Sequence, residues 1–300
     1  MAGPTLWKSH HGAQDVEEVD CPLCGAADRR RLAEEWGLTI VRCQSCSLIY
    51  VSPRLRDSEK NYQTDGQAKL QKYGPILRGE AGHPRDPNYR EHWATLSAIK
   101  PHGRLLDVGS HLGFFLRLGR GKGWELHGIE PSAQSASIGS TAFALDIRTG
   151  YLHDASFAPN SFDIVTLVDV FEHVVEPRKL LTEIFRLLAP GGVLFVKVPN
   201  GRYNLLKLKI LRTLLRSSQF DIFDSREHVV HYTEVTLNRM LRETGFVRTR
   251  FYVPKPIQTG AWFQRLARAS LNAAARFSPR IGGLRALPPT DLAAVCWKPG

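Results

Sequence analysis

The sequence predicts an α/β protein whose main body is a largely parallel sheet covered by helices on both faces, preceded by a small metal-held ribbon. Two observations carry this expectation. From about residue 100 onward, near-continuous apolar strands alternate with helical stretches, the pattern of strands buried on both faces. Near the start, four cysteines fall in two CxxC pairs, CPLC and CQSC, with 18 residues between them.

The 300 residues suffice for one full domain plus an appendage. No run approaches the roughly 18 uninterrupted apolar residues of a membrane span. The opening MAGPTLWKSHHGAQDVEEVD lacks the apolar core of a secretory signal, so a cytoplasmic location is expected and residues 1–18 read as a flexible N-terminus.

Residues 19–56 read as a zinc ribbon. Each CxxC lets two thiolates converge on one ion from a tight turn, and Cys21, Cys24, Cys43 and Cys46 complete a tetrahedral set. Four thiolates leave no open coordination position, so the metal is expected to be structural, folding about 40 residues that are too few to hold a core alone. Disulfides are the alternative, disfavoured without an export signal. Cys296, in AAVCW, reads as a buried strand residue.

A polar stretch with Gly and Pro, 57–87, reads as a linker or mobile lid, and NYREHWATLSAIKP as a helix stopped by Pro101. Then come RLLDV as a strand, GFFLRL as a short helix, and WELHGIE, FALDI and FDIVTLVDV as strands. PRKLLTEIFRLL is a helix, with Pro177 in its first turn and Leu180, Ile184, Leu187 and Leu188 at helical spacing. APGG should end it, before the strand GVLFVKV. YTEVTLNRMLRETG is a helix between an N-cap at Thr233 and a stop at Gly245, followed by the strands FVRTRFYV and LAAVCW.

The most informative stretch is LLDVGSHLGFFL. Asp107, Gly109 and Gly113 sit at a strand-to-helix turn, where glycines let backbone approach a ligand. Glu130 follows in GIEPS, 21 residues beyond Gly109, where an acid can accept from both hydroxyls of a ribose. The pair points to a nucleoside cofactor, yet the GxGxxG of a dinucleotide fold is missing.

Five ordered segments, LLDVGSHLG, HGIEPS, NSFDIVTLVDVFEHV, LLAPGGVLFVKVPN and REHVVHYTEVTLNRMLRETGF, resemble the class I S-adenosylmethionine-dependent methyltransferases, in the branch that includes ubiquinone-biosynthesis O-methyltransferases. The resemblance covers about residues 88–253. It implies a Rossmann-like fold over 88–300, a mostly parallel seven-stranded sheet with an antiparallel last strand. It implies S-adenosyl-L-methionine as cofactor, with Asp107, Gly109 and Gly113 around its methionine end, Glu130 on the ribose, Tyr151 and Leu152 near the adenine, and Asp169 beside sulfonium and substrate. An N-terminal zinc ribbon before such a domain is similar to bacterial methyltransferases of glycan and natural-product pathways. His111 departs from the family pattern, which has glycine there. Either the turn survives and His111 donates to the cofactor carboxylate, or the site is weakened, or the side chain makes no contact.

Methyl transfer is an in-line displacement, so positioning does much of the work, and a hydroxyl acceptor also needs a base. DVFEHV supplies Asp169, Glu172 and His173; in ubiquinone-type relatives a similar set is linked to a divalent metal, so a second metal is an option, against simple helix capping. REHVVHYT supplies His228 and His231, either of which could be the base or simply a structural histidine.

The net charge of +11 is concentrated late. No acid lies between Glu183 and Asp221, nor between Glu243 and Asp291, which suggests an anionic partner. Two basic amphipathic insertions are expected, near 202–217, with Lys209, Arg212 and Arg216 on one face, and near 259–285, in a 38-residue connection longer than the family's usual one. Roofing the acceptor pocket is the preferred reading for both, and lying on an anionic membrane the other. The leading function is methylation of a small-molecule or glycan intermediate, on oxygen. The rivals are an RNA methyltransferase, favoured by a basic chain with a ribbon but lacking a Pro-Pro-aromatic element after the fourth strand, and an inactive zinc-ribbon interaction protein, supported by His111 alone.

Overall fold

The computed structural model describes residues 16–56, 66–215, 221–257, 260–281 and 284–300. The expected flexible start up to residue 15, part of the 57–87 stretch, and Arg216 lie outside the described residues.

The ribbon region contains β1 (Val16–Glu17), β2 (Arg29–Glu35), β3 (Leu38–Cys43), β4 (Ile49–Val51) and β5 (Arg54–Leu55). Two helices follow, α1 (Gly66–Leu77) and α2 (Asp86–Ile99). The main domain then runs β6 (Gly103–Val108), β7 (Trp124–Glu130), α3 (Ala133–Phe143), β8 (Asp146–Thr149), β9 (Phe162–Val168), α4 (Pro177–Leu187) and β10 (Leu188–Pro199). It finishes with α5 (Gly201–Leu215), β11 (Val230–His231), α6 (Glu234–Glu243), β12 (Val247–Tyr252), α7 (Trp262–Phe277), the short pair β13 (Arg280–Ile281) and β14 (Leu284–Arg285), and β15 (Asp291–Trp297).

The large sheet has seven strands in the order β12-β15-β10-β9-β6-β7-β8. β8, β7, β6, β9 and β10 are parallel neighbours, and β15 runs antiparallel between β10 and β12. This is the Rossmann-like arrangement expected, with an antiparallel last strand. The order of connection reverses between β6 and β9, with β7 and β8 laid down on one side and β9 and β10 on the other, so the carboxyl ends of β6 and β9 open the crevice where such sheets bind ligands. Leu105, Ile164, Val193 and Phe195 are buried against Trp93 and Leu96 of α2 on one face, and Leu106, Val165, Leu194 and Val196 against Leu181, Ile184 and Leu237 on the other.

The ribbon is not a separate bead. Its sheet has the order β11-β4-β3-β2, so the fourth strand comes from the main domain, with Val230 opposite Tyr50 and His231 opposite Ile49. Buried Glu35 accepts the backbone N–H groups of Ile222 and Phe223 at 2.8 and 2.9 Å, and Arg178 donates to the Leu23 carbonyl at 3.0 Å. Cys21, Cys43, Leu48 and Tyr50 belong to the same apolar cluster as the sheet.

Several local expectations need correcting. The FALDI strand starts only at Asp146, because Phe143 ends α3 and Ala144 takes a left-handed cap at φ 49°. α3 itself, AQSASIGSTAF, escaped notice because its small residues draw no apolar stripe; Ser132 caps it, accepting from the Ser135 N–H at 3.3 Å. GFFLRL holds only a 3₁₀ turn at Leu116–Gly119. APGG lies inside β10, where the register with β9 breaks between Leu188 and Val193. The stretch read as linker or lid contains α1 and the start of α2.

Candidate active site

The glycine turn leaves β6 through Gly109, His111 and Gly113, all left-handed at φ 72°, 52° and 73°. Gly109 has no room for a side chain, since a Cβ there would lie 2.6 Å from Val170 Cγ2. His111 is a strained exception to the rule that such positions take glycine. Its backbone N–H donates to Glu130 Oε2 at 2.9 Å, while Glu130 Oε1 accepts from the Ser132 N–H at 3.1 Å. Glu130 thus ties the turn to the start of α3, and each oxygen keeps a lone pair for a further donor. Burial raises its pKa against those two amides. Ser110 Oγ is buried without a partner.

The His111 ring faces α1, edge-on to Tyr73 at 5.7 Å. Burial and the nearby charges of Lys69 and Lys72 push its pKa down to about 4, so it is neutral at pH 7. Lys69 reaches the Ser132 hydroxyl at 3.5 Å and bonds that of Ser135. α1 therefore covers the turn and the Glu130 end of the crevice.

Asp107 is buried and accepts from Thr166 Oγ1 at 2.6 Å; burial moves its pKa up to about 7. Leu152 is buried in a 3₁₀ turn, and Tyr151 stacks on His153 at 5.6 Å. Asp169 follows β9 at φ 56° and takes part in a charge chain: Arg85 and Lys197 both bond it, and Lys197 continues to Asp291 at 2.6 Å. Burial would raise Asp169, but the charges of Lys197 and Arg85 outweigh it and hold the carboxyl at about 2.

Beside this chain, Glu172, His173 and His228 bring one ligand atom each within 4.8 Å of one another. The two rings meet at 4.7 Å, and His173 Nδ1 lies 2.9 Å from the Glu227 carbonyl, which fixes its tautomer as a donor there. Glu172 Oε2 is buried without a partner, and burial together with Asp169 raises the carboxyl to about 8. Burial and His173 lower His228 to about 2, leaving a neutral imidazole with a lone pair to offer. His231 stands apart, in the ribbon sheet against Phe223 at 5.0 Å; burial lowers it to about 3.

A cleft of about 290 Å³ opens next to His228, walled by Tyr203, Asn204 and Lys207 of α5, Arg268 of α7, Asp224 and Asp291. Both basic insertions therefore border it. The sequence reading missed Arg85, Lys197 and Asp291. Lys197 had a visible signal, a lone cation inside the apolar strand GVLFVKV; Arg85 and Asp291 had none, because only the fold brings them to Asp169.

In the ribbon, Cys21 and Cys46 Sγ lie 3.4 Å apart and Cys24 and Cys43 Sγ 3.6 Å, and all four sulfurs lie within 4.8 Å. These separations are too long for disulfides, which need about 2.05 Å, and suit four thiolates about 2.3 Å from one tetrahedral ion.

A parallel sheet that opens at its switch point onto a glycine turn, an acid on the next strand and a carboxylate–histidine cluster defines a class I Rossmann-like transferase domain. Residues 82–249 match the family described as a methyltransferase domain, more than half of the chain, and the protein belongs to that family. Among its relatives, 2-methyl-6-phytyl-1,4-hydroquinone methyltransferase of Synechocystis is 28% identical, over 48% of this chain and 49% of its own length. The ubiquinone biosynthesis O-methyltransferase of Xanthomonas campestris is 24% identical, over 50% of this chain and 67% of its own. The chain thus spans about half the length of the first of these. Phosphoethanolamine N-methyltransferase 2 of Haemonchus contortus, solved with S-adenosylhomocysteine, superposes with a TM-score of 0.54 at 17% identity, covering 84% of this chain and 64% of that one, a likeness of fold.

Proposed function

We propose that the protein transfers a methyl group from S-adenosyl-L-methionine to an oxygen of an anionic small molecule or glycan intermediate. The observation that carries the reading is the convergence, at one end of the sheet, of the Gly109–Gly113 turn and Glu130 with the Glu172–His173–His228 cluster and a polar cleft bordered by Lys207 and Arg268 as well as Asp224 and Asp291. The residues fit the cofactor: the turn, bare of a side chain at Gly109, offers backbone to its methionine end, and Glu130 retains acceptor capacity for ribose hydroxyls. When bound, it supplies an electrophilic methyl on sulfur. Tyr151 and Leu152 border the adenine, and Asp169, ionised and locked by Arg85 and Lys197, faces the reacting centre.

His111 keeps the turn through its backbone N–H and sets its ring against Tyr73, closing the crevice from the α1 side. The acceptor enters the cleft beside His228, where Lys207 and Arg268 balance its negative charge. A cleft of about 290 Å³ is in keeping with a small acceptor and not with a polynucleotide track. The low pKa values of His228 and His231 make them weak bases, so His228 acts better as a neutral ligand. Glu172, His173 and His228 would hold a divalent cation, which would acidify an acceptor hydroxyl. The four ribbon cysteines hold structural zinc.

The test is calorimetric titration of the zinc-loaded protein with S-adenosylhomocysteine, beside Glu130→Ala, followed by incubation of candidate acceptors with labelled S-adenosylmethionine. Micromolar binding lost in the variant and label transfer to a polar small molecule are expected. A folded protein that binds no S-adenosylhomocysteine would overturn the reading.

A further inference from the structure

Helix α7 faces the wrong way for a helix that belongs to the core. At 3.6 residues per turn, Trp262, Phe263, Leu266, Ala273 and Phe277 fall within about 100° of one another. This apolar face looks outward: Trp262 is 70% exposed, Phe263 57%, Leu266 58% and Phe277 90%. The opposite side is turned inward, although it is the more polar. Asn272 is buried, donating to the Pro254 carbonyl at 3.1 Å and accepting from the Thr290 N–H at 2.9 Å. Arg276 adds bonds to the Val253 carbonyl at 3.1 Å and to Glu91 at 3.0 Å. The helix is thus pinned by polar anchors toward its C-terminal end, while its first two turns, 261–267, project with every residue exposed.

Burying several large apolar side chains is worth about 1.5–3 kcal/mol each, so a face of this kind left in water forgoes substantial stabilisation. Its surroundings name the partner. From Lys255 to Arg285 the segment carries six Lys or Arg residues and no acid, and exposed Arg265 lies on the flank of the apolar stripe. An aromatic and aliphatic face bordered by cations, with no acid near it in the chain, complements an anionic lipid bilayer, where indole and phenyl rings sit at the headgroup boundary and arginines meet lipid phosphates. No helix among the described residues is long and apolar enough to cross a bilayer, so the contact is peripheral.

We infer that α7 docks the protein on an anionic membrane surface, inserting Trp262, Phe263, Leu266 and Phe277 to the headgroup boundary. Arg268 of the same helix lines the acceptor cleft, so docking holds the cleft close to the bilayer. On the methyl-transfer reading above, the acceptor is then an anionic molecule carried on or near lipid.

The test is flotation of the full zinc-loaded chain with vesicles of phosphatidylglycerol and phosphatidylcholine, against phosphatidylcholine alone, at low and high salt. Binding at least tenfold stronger to the anionic vesicles, weakened by salt, is expected. The triple variant Trp262→Ala, Phe263→Ala, Leu266→Ala should lose at least tenfold in vesicle binding, and Arg265→Glu should lose part of it. Both should keep the parent's thermal melt and affinity for S-adenosylhomocysteine, which separates failure of this inference from failure of the methyl-transfer reading. Absence of flotation, equal binding to neutral vesicles, or undiminished binding by the triple variant would each overturn it. So would a parent dimer that the triple variant converts to monomer without any vesicle binding, since a second copy would then be the occupant.

Discussion

Lys197→Met tests the charge architecture of the site. Lys197 is 1% exposed and lies between Asp169 and Asp291. Methionine fills a similar volume but leaves two carboxylates facing the gap. Breaking a buried ion pair by removing one partner costs about 3–5 kcal/mol. Arg85 still holds Asp169, so the lower end, about 3 kcal/mol, is expected. With a urea slope of about 3 kcal/mol per molar, the unfolding midpoint falls by about 1 M. The pH dependence follows from the sign of the Asp169 shift. Burial raises that carboxyl, but Lys197 and Arg85 outweigh it and hold it at about 2, below the usual 3.8. A depressed carboxylate stabilises above its unfolded pKa and loses that contribution as pH falls toward the folded value. The parent's advantage over the variant should therefore be full at pH 7 and narrower at about pH 3.5. Urea titrations followed by circular dichroism at both values measure it. Equal midpoints at pH 7, or a gap unchanged at the lower pH, would refute the reasoning.

Three further outcomes are expected. Glu130→Gln, which keeps the shape but loses the charge that accepts from His111 and Ser132, should weaken S-adenosylhomocysteine binding by roughly tenfold, about 1.4 kcal/mol, read by calorimetry. Gly109→Ala places a Cβ 2.6 Å from Val170 at φ 72° and should lower the melting temperature by several degrees, whereas Gly191→Ala, also left-handed at φ 69° but with nothing within 4 Å, should cost less; identical melts would argue against the packing account. Stripping the ribbon metal with a strong chelator should release proton-seeking thiolates and unfold the ribbon, and since β11 belongs to its sheet, amide exchange should rise at Val230 and His231 as well as near the cysteines; protection retained at His231 would count against the shared sheet.

The sheet and its switch point were legible because β6, β9 and β10 are near-continuous apolar runs and α4 carries a clean apolar stripe. The glycine turn and the acid Glu130 on the next strand were legible as a local pattern, and the structure joins them through the His111 N–H. What stayed hidden depends on distance along the chain. Arg85 meets Asp169 from a stretch that reads as linker, and Asp291 meets Lys197 across the antiparallel pairing of β10 and β15. α3 was hidden for a different reason: serine, alanine and glycine make a helix without marking a face. The two CxxC pairs announced a cluster of four thiols, which the structure brings together, but nothing in them shows that the ribbon borrows a strand from the main domain.

That borrowed strand sets a timetable for synthesis. Tyr50 pairs with Val230, 180 residues later (230 − 50). At roughly 5–20 residues per second, the β4 edge leaves the ribosome some 9 to 36 s before its neighbour exists. During that interval the cysteines can already gather a metal from a short hairpin, while an unpaired strand edge waits in the open, the kind of edge that recruits the wrong chain. A nascent chain of this protein is therefore most exposed to misassembly between the emergence of β4 and that of β11, and ribosome pausing inside that window should lower the yield of folded protein more than pausing after it.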